Sequence, residues 1–180
     1  NNSNNQNPDL YISKLDSSGN WNWAKQAQGY SNVYAQNIVT DNNGNSYISG
    51  KFITKSLTLG STTLTNSGQS DIFVAKMNSN GNWLWAKQAG GTSYYTCNDI
   101  VMDNSGNIYI TGRFGGDITF GTTPPTTLSS NLSGNIYIAK MDSNGNWLWG
   151  KGAGGAEGGF CYGLAVDSDE NCYVTGIFDH

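Results

Sequence analysis

The chain has 180 residues, a net charge of −4 and only 12% charged residues, half the globular norm of about 25%. A pI near 4.7 argues against a nucleic-acid partner, which needs clustered Lys and Arg to meet phosphates. No run approaches the ~18 apolar residues of a membrane helix, and the single histidine, His180 at the last position, argues against His-based catalysis and His-rich metal sites. With 37% hydrophobic residues and 22 aromatics the chain can build a core, so it is not a disordered tail.

In chain order, an Asn-rich lead of residues 1–8 precedes a repeat domain of residues 9–180. The first strand signal is Asp9-Leu-Tyr-Ile-Ser-Lys, followed by the turn Asp16-Ser-Ser-Gly-Asn and the strand Trp21-Asn-Trp-Ala-Lys. Next comes a hairpin around Asp41-Asn-Asn-Gly-Asn, continuing as Ser-Tyr-Ile-Ser-Gly. Asp71-Ile-Phe-Val-Ala-Lys then repeats the opening strand at an offset of 62, and Asn135-Ile-Tyr-Ile-Ala-Lys repeats it again 64 later. The Trp-x-Trp strands at Trp83 and Trp147 and the turns at Asn78, Asp103, Asp142 and Asp167 keep the same offsets. Three blocks in register at two offsets make a three-fold repeat.

Each unit reads as four strands, here a, b, c and d. The hairpin a–b has a short Gly-containing loop. A Thr-rich excursion (residues 117–128 in one copy) separates b from c and reads as an extra hairpin or long loop. No window carries a helical apolar period. In Asp71-Ile-Phe-Val-Ala-Lys-Met both strand faces are apolar, which predicts burial on both sides rather than one face in water. The expectation is an all-β chain of four-stranded antiparallel propeller blades covered by their neighbours. It comprises about three blade-equivalents: half blade 9–30, units 31–92 and 93–156, and half blade 157–180.

The combination Asp-x-Ser/Asn-Gly-Asn-Ile-Tyr-Ile-Thr-Gly-x-Phe, Asp-Ile-Phe-Val-Ala-Lys-Met and Gly-Asn-Trp-Leu-Trp-Ala-Lys-Gln-Ala-Gly-Gly resembles the bacterial β-propeller repeat called SBBP, with a more distant likeness to NHL repeats. The resemblance covers residues 9–178. It implies blades with strand a innermost and the Trp-x-Trp strand outermost, in secreted or cell-surface bacterial proteins with no catalytic motif to transfer. The sequence departs from the pattern at Asn22, at Asp169-Glu170 and at Cys172.

Strand order c–d, a–b–c–d twice, then a–b leaves two half units. Three blades fall below the usual minimum of about four for a closed ring. The chain is therefore expected to be a piece of a larger propeller, a subunit giving six blades as a dimer, or a head-to-tail filament former. An unpaired strand b is a template for strand addition. The expected self-assembly seam is Leu10, Tyr11, Ile12 and Ser13 against Tyr173, Val174, Thr175 and Phe178.

Other candidates follow from residue chemistry. Asp167, Asp169 and Glu170 form the one loop with three carboxylates, a calcium-type oxygen set, although Asp and Gly at these offsets serve turns in every copy. No other cofactor is expected. Lys51 and Arg113 sit at one repeated position and could line a channel mouth as a ligand-binding ring. The Trp pairs at i, i+2 share one strand face and are expected to be buried between blades. Cys97, Cys161 and Cys172 read as free thiols, with Cys172 opposite Val166. The expected role is a non-enzymatic extracellular or surface module for adhesion, scaffolding or self-assembly. A carbohydrate- or cation-binding propeller, with surface glycans as partners, is the alternative.

Overall fold

A computed structural model describes residues 9–27, 32–130, 134–154 and 158–178. The expected Asn-rich lead and His180 lie outside these residues. The chain opens with β1 (Tyr11–Leu15) and β2 (Trp21–Gln26). The first complete set follows as β3 (Val33–Thr40), β4 (Ser46–Phe52), the short pair β5 (Ser56–Leu59) and β6 (Thr62–Thr65), β7 (Asp71–Met77) and β8 (Trp83–Gly90). The second set is β9 (Asp99–Met102), β10 (Ile108–Phe114), β11 (Ile118–Phe120), β12 (Thr126–Leu128), β13 (Asn135–Met141) and β14 (Trp147–Ala153). Strands β15 (Gly159–Val166) and β16 (Cys172–Phe178) end the order. Every ladder is antiparallel, and the described residues contain no helix. No helix is therefore long and apolar enough to cross a membrane.

The turns explain the hairpins. In the loop starting at Asp103, the carboxylate Oδ1 accepts the N–H of Ser105 (2.9 Å) and of Asn107 (2.8 Å). Gly106 supplies φ = +81° and donates its N–H to the Asp103 carbonyl at 3.0 Å. An Asx turn with a left-handed residue reverses the chain using its own local polar groups. The same bonds recur at Asp16, Asp41, Asn78, Asp142 and Asp167. In the last copy Glu170 takes the glycine's place at φ = +64°.

Sheet order shows which strands are sandwiched. One sheet runs β14-β13-β10-β9, another β12-β11-β8-β7-β4-β3, while β1-β2, β15-β16 and β5-β6 stand as pairs. Strands β4, β7 and β10, the middle of their sheets, are buried almost throughout on both faces. That is why their sequences lack polar alternation. One cluster gathers Tyr47, Ile72, Val74, Ile108, Ile110, Phe120 and Tyr137, from two successive sets; a second gathers Leu10, Ile12, Ile48, Phe73 and Ala75. The sets pack face on face.

The two Thr-rich excursions do not behave alike. Strands β5 and β6 pair only with each other. Strand β11 instead joins the previous set's outer strand, with Thr119 opposite Gly90 and Phe120 opposite Ala89. Gly91 lets this happen, because a side chain there would meet the Asp117 carbonyl oxygen at 2.5 Å.

The Trp pairs are less buried than expected. Trp83 and Trp147 are half-buried, Trp83 against Gly60 and Trp147 against Gly121 and the Phe120 ring (centroids 5.1 Å apart). Trp21 is 68% exposed. The cover comes from the excursion hairpin, and among the described residues none lies over Trp21. Asn22 is exposed, as are its counterparts Leu84 and Leu148, so its polarity changes no buried contact.

Candidate functional site

The sequence-predicted seam maps onto two open sheet edges. Strand β1 bonds only β2, and β16 bonds only β15. Leu10 and Ile12 are buried in the second core cluster, Tyr11 is exposed and Ser13 half-buried. On β16, Tyr173, Val174, Thr175 and Phe178 are all exposed. Their repeat equivalents in β10 are buried. Tyr109 is 0% exposed where Tyr173 is 58%, and Phe114 is 1% exposed where Phe178 is 53%. The difference is the cover: β10 is bonded by β13 and packed by β15, whereas β16 has neither partner among the described residues.

The ladders of the complete sets give the register such an edge would adopt. Ser46 opposes Met77 and Phe52 opposes Asp71; Ile108 opposes Met141 and Phe114 opposes Asn135. Transferred by repeat position, Cys172 would oppose a Leu15-type residue and Val174 a Ser13-type residue. A groove of about 300 Å³ between β1 and β3, walled by Tyr11, Ile12, Ala35 and Ile38, lies at the other open end. In the complete sets, the corresponding place against the next inner strand is taken by strand b, as β4 lies on β9 and β10 on β15.

Sets are stitched to one another by polar contacts that the sequence did not disclose. Asn37 donates to the Asn98 carbonyl and Asn98 to the Cys161 carbonyl, both at 2.7 Å, and Asp99 accepts the Leu164 N–H at 2.8 Å. Trp23 Nε1 donates to the Ser79 carbonyl at 3.1 Å. In the sequence, Asn37 and Asp99 share one repeat position, which the third copy fills with Gly163.

Lys51 and Arg113 do not form an open ring of cations. Lys51 lies 5.5 Å from the Tyr34 ring centroid and 4.5 Å from that of Tyr94, whose hydroxyl its ammonium also reaches. The Arg113 guanidinium lies 4.3 Å over Phe160. Such contacts are worth about 0.5–2 kcal/mol each and tie strand b to its neighbours.

The three-carboxylate loop disperses its acids. Asp167 Oδ1 accepts turn N–H groups, and its Oδ2 accepts from Asn171 and Tyr173. Glu170 turns away to Lys140, Oε2 to Nζ 2.7 Å. Among the described residues no three His, Cys, Asp or Glu side chains are grouped to hold a metal. The thiols are free; Cys97 and Cys161 are buried, and Cys172 opposes Val166 as its position predicts. Burial pushes the Cys97 thiol up to about 11, far from thiolate reactivity.

The turn acids set a pH response. Hydrogen bonds from Asn20 hold Asp16 below its ordinary value. Burial opposes the charge of Asp41, Asp103 and Asp142, but the bonds from Asn45, Asn107 and Asn146 outweigh it and lower all three. Asp167 is lowered chiefly by Asn171. A carboxyl depressed on folding stabilises above its unfolded value and loses that contribution as pH falls through the folded one. Asp71, raised by burial, works oppositely, gaining on acidification. Five against one predicts a melting temperature that is flat down to about pH 5 and falls steeply below about pH 4. Calorimetry across that range checks it; a maximum near pH 3 would contradict it.

A family model described as the SBBP β-propeller repeat matches residues 22–51 and 84–113, windows that run from β2 to β4 and from β8 to β10. An uncharacterized WD repeat-containing protein of Acanthamoeba polyphaga mimivirus is 33% identical over 131 aligned positions, covering 60% of this chain. The chain corresponds to 9% of that relative's length. Antiparallel sets stacked face on face, a repeated Asx turn and these matches agree over residues 22–51 and 84–113, which match the SBBP β-propeller repeat.

Proposed function

We propose that the chain is a non-enzymatic propeller module for scaffolding, adhesion or self-assembly at an extracellular surface, and that it works by completing blades. It contributes about three blade-equivalents, the two pairs β1-β2 and β15-β16 each being half of one. The observation that carries the reading is the exposed edge of β16, whose apolar residues are buried in the repeat-equivalent β10. Burying one Tyr or Phe side chain is worth about 1.5–3 kcal/mol, and strand addition adds main-chain bonds. The completing strands are c and d of another repeat, in the same polypeptide or in a second copy. The low charge and the Asn, Thr and Gly content suit an extracellular surface.

Light scattering across concentration tests the intermolecular form. The expected result is association above the 19.3 kDa chain mass, reduced to monomer by Val174→Lys with Phe178→Lys. A monomer at every concentration would leave only completion within a longer polypeptide.

A second reading has its own observation. A groove of about 570 Å³ is walled by Trp147, Lys87, Gln88, Asn146 and the excursion residues Thr119 and Thr123. An aromatic wall with amide and hydroxyl groups suits a sugar. Binding on a glycan array, lost in Trp147→Ala, would support it; an array without signal would remove it.

A further inference from the structure

Repeat symmetry places Lys14, Lys76 and Lys140 at one position, and Gly44, Gly106 and Glu170 at another. Between the second set and β15-β16, Lys140 is nearly buried and Glu170 Oε2 lies 2.7 Å from its ammonium. Asp103 Oδ2 lies 3.6 Å from the same nitrogen, and Ser105 Oγ donates to the other Glu170 oxygen at 3.4 Å. The next turn thus delivers a carboxylate onto the lysine of the preceding set.

One repeat earlier the carboxylate is missing. Lys76 stands for Lys140, Asp41 for Asp103 and Asn43 for Ser105, but Gly106 stands for Glu170. A cavity of about 470 Å³ lined by Asp41, Asn43, Lys76, Gly106 and Ser143 occupies that space, and a side chain built on Gly106 would meet nothing within 4 Å. Lys76 donates to the Ser143 carbonyl at 3.3 Å and lies 4.9 Å from the Tyr47 ring centroid. Its ammonium has three donors, and no carboxylate lies within the ion-pair distance of 4.0 Å among the described residues. Asp41 is engaged by Asn43, Asn45 and Tyr47 in its own turn.

We propose that the cavity between Lys76, Asn43 and Gly106 binds a carboxylate group on a short flexible stem, seated as Glu170 is seated on Lys140. The Lys76 ammonium and the Asn43 amide are the donors; Gly106 leaves the passage for the stem. Asp41 is no obstacle, since Lys140 accommodates Asp103 and Glu170 together. Two charge-assisted hydrogen bonds, from the Lys76 ammonium and the Asn43 amide, support an affinity on the order of 1–10 mM.

The probe is acetyl-glutamate amide, titrated against labelled protein and followed by amide shifts, with acetyl-glutamine amide as the neutral counterpart. Saturable shifts at Asn43, Ser105 and Gly106 are expected for the acid, at least about tenfold weaker for the amide, a ratio worth one decade of affinity. Lys76→Gln should weaken acid binding by at least about tenfold while Lys76→Arg retains it. Gly106→Glu should abolish it by filling the cavity from within. Equal response to both probes, undiminished binding in Lys76→Gln, or no local shift at about 100 mM would overturn the proposal. An acidic peptide binding far more tightly than the single residue would identify a polypeptide as the source of the carboxylate; equal affinity per carboxylate would identify a small molecule. Should Gly106→Glu fail to fold, the Lys76 pair and the two probes still decide.

Discussion

Asp103→Ala should lower the melting temperature by about 10 °C, whereas Asp16→Ala, at the same turn position, should shift it far less. The side chain of Asp103 is 1% exposed and carries five interactions. Its oxygens accept the Ser105 and Asn107 N–H groups, the Asn107 amide and the Tyr109 hydroxyl at 2.8–3.2 Å, and Lys140 lies 3.6 Å away. Tyr109 is fully buried and Lys140 8% exposed, so removing the acid strands a hydroxyl and weakens the compensation of an ammonium. Breaking one side of a buried charged network costs about 3–5 kcal/mol, and for a chain of this size each kcal/mol moves the midpoint by about 2–4 °C. Asp16 makes the same local bonds but is exposed and has no lysine over it. Thermal unfolding of both variants measures the contrast; equal shifts would mean that the turn alone, and not the buried network, holds the sets together.

Gly112→Ala is expected to be the most damaging single-methyl change in the molecule. Strand b carries glycine at this position in all three copies, Gly50, Gly112 and Gly176, and in each a Cβ would drive into a carbonyl oxygen of the facing segment: Tyr34 in β3, Thr96 just ahead of β9 and Phe160 in β15. At Gly112 the same methyl would also stand 2.9 Å from the Tyr137 hydroxyl, which donates to the Thr96 carbonyl at 2.9 Å. The partner is backbone, so no rotamer relieves the clash; the two strands must part. In the other two copies the facing strand carries a bulge beside the glycine, between Ala35 and Asn37 and between Cys161 and Gly163. Glycine in a strand interior commonly marks such a close approach. Overpacking typically costs about 1–3 kcal/mol, and a backbone clash that no rotamer relieves belongs at the top of that range. Chemical denaturation should show the midpoint falling without a change in slope, and a stability within about 0.5 kcal/mol of the parent would refute the close packing.

What could be read from the sequence was what is local and repeated. The Asp, Gly and Asn of each turn act on their own backbone, so their spacing sufficed to place the hairpins that these turns close, but not the excursion hairpins. Strands such as Ile108–Phe114 are apolar on both faces because both faces are covered, and that too is written in the strand itself. What escaped depends on which unit lies over which. Trp21 and Trp83 sit in nearly identical words, yet one is exposed and the other half-covered, because the cover is a separate hairpin. Glu170 looked like a cation ligand in its own loop; its partner, Lys140, belongs to the preceding set. Lys51 and Arg113 looked like the lining of a mouth, and only the neighbouring strands reveal the Tyr34, Tyr94 and Phe160 rings on which they rest.

The join between β8 and β11 bears on how far the copies can diverge. Repeats held together by side-chain fit alone lose their coupling as substitutions accumulate on either surface. Here Thr119 and Phe120 face Gly90 and Ala89 across a ladder of main-chain bonds, and those bonds are indifferent to side-chain identity so long as the glycines admit the approach. The two copies are thus free to drift in sequence while still melting as a single cooperative body.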